Sequence, residues 1–365
     1  MDPFPYYEFA GSNLDIGRQH GRLAGEHVNR HLNMALGKLA ARDVDHALAR
    51  QRSAAYMPYI QRHAPHFAEE LRGLAEGAEI SEEDAYILQL RAELAVNPGV
   101  EMDAVEAARA REAIAHECTT FAVSGALTAD GQPLAGQNAD LPAGTRDVAI
   151  VARVQPDDKP GFLMLLPAGQ ISYIGINDRG LGVFANFLNT DGWRPGFPRY
   201  LLSRTVLEHG SIDGALDRLA TIPRASSRNV LIVDGEGNSI SMEYAVDTEG
   251  RLDPEDGLLA HTNHFADPAV VECERAEDDR LANSCTRLER MRELLEADRG
   301  SLTPERVMRA FRDRAHAPDA ICRRLGDGPG DYITFASVIA RPSSGEAWIA
   351  PGPPDQYSYT HYALD

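Results

Sequence analysis

HECTTFAVSGALTADGQPLAGQNAD, residues 116–140, is where the texture of the chain changes. The run from Cys118 to Asp140 reads as two short strands around a turn at Asp130-Gly131, a strong hairpin signal. A hairpin returns its far end beside its start, so Asp140 and Cys118 are expected as near neighbours. Before this stretch the chain reads as helix. Leu14, Ile16, Gly21 and Leu23 run into Val28, Leu32 and Leu36 at loosely helical spacing, and Phe67, Leu71, Leu74 and Ile80 mark a second helix. Ser81-Glu82-Glu83-Asp84 has the form of a capping box opening a third, and Asp103 to Ala115 is a further Ala/Glu/Arg-rich helix. No alternation of period two is evident in this half.

Beyond the hairpin, strands are expected at Val148–Val154, Phe162–Leu166, Ser172–Ile176 and Gly182–Phe187. Helices follow at Arg199–Glu208 and Ile212–Leu219, then strands at Asn229–Val233 and Ser239–Tyr244. Late helices at Ser284–Glu296 and Pro304–Arg314 precede closing strands at Thr334–Ala340 and Ala347–Ala350; Thr303 is the N-cap of the second helix and Pro304 its first residue. Ala245–Gly257, acidic with Gly and Pro, reads as a surface loop. Blocks of strands separated by helix pairs give an α+β class, with stacked antiparallel sheets and helices outside.

Whole-chain numbers narrow the function classes. The 365 residues carry 36 Lys+Arg against 55 Asp+Glu, a formal charge of −19, which argues against a nucleic-acid partner. With 43% hydrophobic and 25% charged residues the chain is expected to fold into one large domain or two. Four cysteines are too few for a disulfide scaffold. The opening MDPFPYYEFAGSNLD has no basic n-region and no apolar h-region, and stretches such as Phe162–Leu166 are too short to span a bilayer. A cytoplasmic protein with reduced thiols and no membrane partner is expected; a periplasmic form without its leader stays open.

Cys118 on its own reads as a small core residue at a strand start. Its place at the head of the strand-rich half, the polar return Gly136-Gln137-Asn138-Ala139-Asp140, and isolated asparagines at strand ends, Asn186 and Asn263, favour a nucleophile instead. His261 and His264 flank Asn263, but Thr-Asn-His-Phe is poor helix material, so structural hydrogen bonding is the better account than a metal pair. Cys273, Cys285 and Cys322 show no metal-ligand spacing, and Gly175–Gly182 lacks the dinucleotide-binding pattern. No metal site is expected. Arg290 reads as part of a solvated, salt-bridged helix face, and His20-Gly21 as packing against the second half.

The chain resembles the isopenicillin-N acyltransferase family of autoproteolytic N-terminal-nucleophile (Ntn) hydrolases, relatives of choloylglycine hydrolases and penicillin V acylases. The resemblance spans nearly the whole chain. It rests on Gly17-Arg18-Gln19-His20-Gly21, on Glu69 to Ala78, on Cys118-Thr119-Thr120-Phe121, and on Gly136-Gln137-Asn138-Ala139-Asp140. Gly175 to Leu181, His261 to Phe265, Asn283 to Arg287, and Ile321-Cys322 complete the pattern.

It implies an αββα sandwich of two antiparallel sheets between helical layers, with an N-terminal helical segment. It also implies self-cleavage between Glu117 and Cys118, leaving residues 1–117 as a bound helical subunit and 118–365 as the catalytic domain. The freed α-amine then serves as base for its own thiol, a nearly thermoneutral exchange between groups of pKa near 8 and ~8.5. By the same resemblance Asp140 orients the nucleophile, Asn186 and Asn263 line the oxyanion hole, and Arg287 gives electrostatic support. Two departures stand out. Glu117 replaces the Gly of the best-known fungal members, and Gln137 occupies the position of the bile-salt branch's arginine, which moves the match toward the acyltransferases.

The expected activity is hydrolysis or acyl transfer at a small-molecule amide through a Cys118 thioester. No cofactor is called for, and acyl-CoA stays open as a co-substrate. The loop Leu188–Pro198, with Trp193 and Phe197, is expected to wall the substrate pocket. Rival readings are an unprocessed, non-catalytic binding protein and a cysteine peptidase using a separate base such as His264. Substrate identity and any higher oligomer stay open.

Overall fold

Strand β2 (Cys118–Val123) pairs antiparallel with β3 (Leu134–Pro142), and the register sets Cys118 opposite Ala139. The expected turn is present: Gly131 takes φ +74°, and the Asp130 carboxylate accepts from the Gln132 backbone N–H. This computed structural model describes residues 2–96, 118–328 and 330–364. The expected helix at Asp103–Ala115 and residue Glu117 lie outside the described residues.

Two sheets form the centre. β1 (Tyr6–Gly11), β4 (Ala149–Pro156), β5 (Phe162–Pro167), β6 (Ile174–Asn177), β7 (Gly182–Asn186), β8 (Arg228–Val233), β9 (Ser239–Tyr244) and β10 (Glu249–Leu252) make an eight-stranded sheet in that spatial order. The second, six-stranded, runs β11 (Leu258–His261), β2, β3, β12 (Tyr332–Arg341), β13 (Glu346–Ala350) and β14 (Thr360–Ala363). Strands β2 and β3 stack on β7 and β8. β2, β3, β7 and β8 are buried along their whole length, as strands covered on both faces must be.

Helices cover both outer faces. On the six-stranded sheet lie α10 (Asp278–Ala297) and α11 (Pro304–Phe311), the latter capped by Thr303, whose side chain accepts from the Arg306 N–H. Toward the eight-stranded sheet lie α1 (Asn13–Leu23), α2 (Gly25–Ala40) and α8 (Leu201–Leu207), with α9 (Ile212–Ala220) against α8. The helices α3 (His46–Ser53), α4 (Met57–His63), α5 (Pro65–Ala78), α6 (Glu82–Gln89) and α7 (Arg91–Val96) complete the N-terminal part. Ser81 caps α6 as its sequence signature indicates, accepting from the Asp84 N–H.

The described N-terminal segment is not purely helical. Tyr6–Gly11 forms the edge strand β1, parallel to β4, a short mixed-polarity run with one fully buried side chain, Phe9, which gives no period-two signal. Likewise β10 and β11 occupy part of, and follow, the stretch expected as a loop.

The glycines of the two N-terminal motifs explain each other. α1 crosses α5 so closely that a Cβ at Gly17 would stand 2.0 Å from the Glu70 carbonyl oxygen, and one at Gly73 2.1 Å from that of Leu14. Only glycine allows that approach. The N-terminal helices and the later strands then share one apolar core, from Ile16 and Leu74 to Val183 and Leu231. A buried ion pair bridges the same boundary: Arg204 of α8 reaches both oxygens of Glu70 of α5 at 3.1 and 3.3 Å.

Candidate active site

The head of β2 is the point where both sheets and α10 meet. Cys118 is 3% exposed and faces a pocket of about 300 Å³ whose walls are Leu141, Tyr173, Ala185, Asn186, Phe187, Arg199, Tyr200 and Arg228. Because β11 pairs with β2 up to His261–Thr120, the chain just past β11 carries Asn263 to the start of β2. There the Asn263 side-chain oxygen accepts from the Cys118 backbone nitrogen at 2.6 Å. Its Nδ2 donates to the Phe187 carbonyl at 3.0 Å, which leaves one amide hydrogen uncommitted by that bond.

Arg287, buried on α10, binds the same corner. Its Nη1 donates to the Cys118 carbonyl at 2.6 Å and to Thr119 Oγ1 at 3.1 Å, its Nη2 to Asn263 Oδ1 at 3.1 Å, and its Nε to Asn283 Oδ1 at 2.8 Å. All four acceptors are neutral, so the guanidinium charge stays available to the site. Asp140, expected beside Cys118 from the hairpin, is there: its Oδ1 accepts from Thr334 Oγ1 at 2.6 Å, on the β12 residue that pairs with it.

Asn186 ends β7, on the facing sheet. Thr120 Oγ1 donates to its Oδ1 at 2.9 Å, a bond that joins the two sheets. That bond turns the oxygen away as acceptor and leaves Nδ2 buried with no hydrogen-bond partner among the described residues. A buried donor without an acceptor is costly unless something else supplies one.

Burial pushes the Cys118 thiol up to about 12, and the Asp140 carboxylate adds to the rise. The Asp140 backbone N–H, the Gln137 carboxamide and the Arg287 charge oppose it without overcoming it. In the continuous chain the sulfur is therefore a neutral thiol at ordinary pH.

The two histidines are held structurally. His261 bonds Glu243 at 2.6 Å and the Thr262 carbonyl at 2.7 Å, while His264 Nδ1 bonds Ser284 Oγ at 2.8 Å with Cys285 Sγ 3.9 Å from its Nε2. Burial and the neighbouring His261 lower the His264 pKa to about 4, which makes it a poor base near neutrality. His20 accepts from the Gly169 N–H at 3.0 Å and stacks on Phe9, the packing role its sequence position suggests. Arg290 pairs with Asp313 and Glu293, as expected of that helix face.

Trp193 and Phe197 do not line the pocket. Trp193 stands behind Phe187 and Arg199, with ring centroids 6.1 Å apart in the first case, and Phe197 is buried in the core. The wall they were expected to form is made instead by Tyr173, Tyr200, Arg199 and Arg228. Sequence reasoning started β8 at Asn229 and so missed Arg228. A charged residue leading the apolar run Val230–Val233 is the signal that could have found it.

Residues 127–356 match the protein family described as acyl-coenzyme A:6-aminopenicillanic acid acyl-transferase, a span that holds Asp140, Asn186, Asn263 and Arg287 and begins after Cys118. The 40 kDa form of an acyl-coenzyme A:6-aminopenicillanic-acid-acyltransferase from Emericella nidulans is 24% identical over 351 residues, covering 94% of this chain and 92% of that protein. Among solved structures, penicillin V acylase from Agrobacterium tumefaciens aligns with TM-score 0.44 and 13% identity, over 64% of this chain and 83% of that one. A conjugated bile acid hydrolase from Clostridium perfringens aligns with TM-score 0.45 and 14% identity, over 68% and 97%. With more than half of its length matched by one family, the chain belongs to the acyl-coenzyme A:6-aminopenicillanic acid acyl-transferase family.

Proposed function

We propose that the protein is a self-activating amide hydrolase or acyltransferase whose nucleophile is Cys118 and whose base is the α-amine of the same residue. The observation that carries the reading is the 2.6 Å bond between the Cys118 backbone nitrogen and Asn263 Oδ1: the atom that would become the amine is already held beside the pocket.

Activation begins with attack of the Cys118 sulfur on the carbonyl carbon of residue 117. The thiol proton passes to the departing nitrogen, giving a thioester and a free amine at Cys118; water then hydrolyses the thioester. In turnover the amine accepts the thiol proton as sulfur attacks a substrate amide. The oxyanion forms against Asn186 Nδ2, the buried donor that lacks a partner, and the remaining Asn263 amide hydrogen, each such donor being worth roughly 3 kcal/mol. The leaving amine takes its proton back from the Cys118 ammonium, and water or a second amine accepts the acyl group. Arg287 fixes Cys118 through its carbonyl and keeps a positive charge near the sulfur; Asp140 braces the adjoining strand through Thr334. The N-terminal segment would stay bound through the shared core and the Glu70–Arg204 pair.

Terminal sequencing of purified protein should find a chain beginning at Cys118. In Cys118→Ala, intact mass should show one uncut chain with no turnover and no hydroxylamine-sensitive acyl adduct. Two fragments in that variant, or turnover by uncut wild-type protein, would overturn the reading.

A further inference from the structure

Two arginines line the Cys118 pocket without a carboxylate partner among the described residues. Arg199 is 2% exposed and Arg228 4%. The Arg199 guanidinium carbon lies 4.8, 5.0 and 5.2 Å from the ring centroids of Phe187, Trp193 and Tyr200, and its Nη1 is buried with no acceptor. The Arg228 guanidinium carbon lies 5.0 Å from the same Tyr200 ring centroid; its Nη2 donates to Ser203 Oγ at 3.2 Å and its Nε has no acceptor among the described residues. Glu93, buried beside Arg199, accepts from the Arg199 backbone nitrogen and from Ser226 Oγ rather than from the guanidinium.

Aromatic faces hold both side chains in place but satisfy none of the N–H groups in their planes. Burial and the charge of Arg199 depress the Arg228 pKa to about 10, which leaves Arg228 a cation at neutral pH and repelled by Arg199. Two buried like charges beside a nucleophile are an unfavourable arrangement until an anion joins them.

We infer that the substrate carries a carboxylate which docks between Arg199 and Arg228 while its amide meets Cys118. The inference rests on the hydrolase or acyltransferase reading above and adds the substrate class. A carboxylate fits because it is flat and matches the fork of a guanidinium, and Leu141, Tyr173 and Phe187 offer apolar walls for the rest of the molecule. Arg199 and Arg228 are thus specificity residues, distinct from Arg287, whose donors are spent on Cys118, Thr119, Asn263 and Asn283.

Two matched pairs of amides test this. N-glutaryl and N-valeryl anilides differ in a carboxylate on the acyl side; N-hexanoylglycine and N-hexanoylglycinamide differ in one on the amine side. In wild-type protein at least one charged member should exceed its neutral partner tenfold or more in kcat/KM, and the pair that does so locates the anion. That ratio should collapse toward one in Arg199→Gln and in Arg228→Gln. Equal values within both pairs in wild type, or an equal loss for charged and neutral members in the variants, would overturn the inference and show that the arginines serve the thiol instead. Calorimetric binding of the same four compounds to the wild-type chain reads the preference independently of turnover. A tenfold tighter charged ligand would support the inference even if Cys118 proved uncut and unacylated, which would sink only the catalytic reading. No preference in binding would overturn the inference by itself.

Discussion

Asn263 Oδ1 accepts one hydrogen bond from the Cys118 backbone nitrogen at 2.6 Å and a second from Arg287 Nη2 at 3.1 Å. The arginine polarises the carboxamide and fixes its plane, while its Nη1 holds the Cys118 carbonyl at 2.6 Å. The Cys118 backbone, the Asn263 amide and the Arg287 guanidinium thus form one closed network, in which removing a member displaces the others.

Asn263→Ala removes the acceptor that positions the Cys118 nitrogen. Both maturation and turnover should fall by roughly two orders of magnitude, the loss expected when a reacting group is misplaced by about an ångström. Densitometry of full-length and cut chains after synthesis measures the first, with a melting curve to establish that the variant is folded. Maturation at the wild-type rate would remove Asn263 from the network's function.

The raised thiol pKa makes a separate prediction about the uncut chain. With the thiol held near 12 by burial and Asp140, its thiolate fraction at pH 8 is on the order of 10⁻⁴. Iodoacetamide labelling of Cys118 in uncut molecules should climb roughly tenfold per pH unit from pH 7 to 10. An unperturbed thiol levels off above about pH 9. Peptide mapping separates uncut from cut molecules, because only the former give a peptide crossing residue 118. A plateau below pH 9 would show that the sulfur is not desolvated as described.

Much of this was legible in the sequence because it depends on local chemistry. The hairpin from Cys118 to Asp140 is announced by its turn residues, and the caps Ser81 and Thr303 by their own side chains. β1 was not legible: its pairing with β4 is between segments over a hundred residues apart, and edge burial leaves one apolar side chain rather than a stripe. Arg199 and Arg228 were hidden for a related reason. Their placement follows from how the turn just before α8 and the start of β8 converge on Tyr200, a tertiary fact that no periodicity encodes. Trp193 and Phe197 misled because aromatic content marks burial more reliably than it marks a pocket wall.

Glu70→Gln leaves Arg204 buried opposite a neutral amide. Losing one partner of a buried pair costs about 3–5 kcal/mol, because the other charge stays desolvated. The pair lies across the boundary between the N-terminal helices and the strand-rich part, so in matured protein the loss should appear as weakened retention of the N-terminal fragment. Size-exclusion chromatography in increasing urea should release that fragment at lower denaturant from the variant than from the parent. Coincident release profiles would mean that the apolar core alone holds the two parts together.

His20 makes the fold acid-sensitive in a defined window. Desolvation lowers its pKa to about 3, against ~6.5 for an unfolded chain, and its ring accepts the Gly169 N–H in the neutral form. Between those two values the unfolded state binds a proton that the folded state does not. The His20 contribution is therefore complete above pH 6.5 and declines as pH falls toward 3, by up to about 1.4 kcal/mol per unit. His20→Gln keeps an acceptor for Gly169 but has no proton to gain. Urea midpoints at pH 7, 6 and 5, taken in a Cys118→Ala background so that one continuous chain unfolds, should drop more steeply with His20 than with Gln. The carboxylates titrate alike in both proteins, Asp84 with its pKa lowered to about 2 among them, so the difference in slope isolates the histidine. Parallel slopes from pH 7 to 5 would show that His20 is not held neutral by its burial.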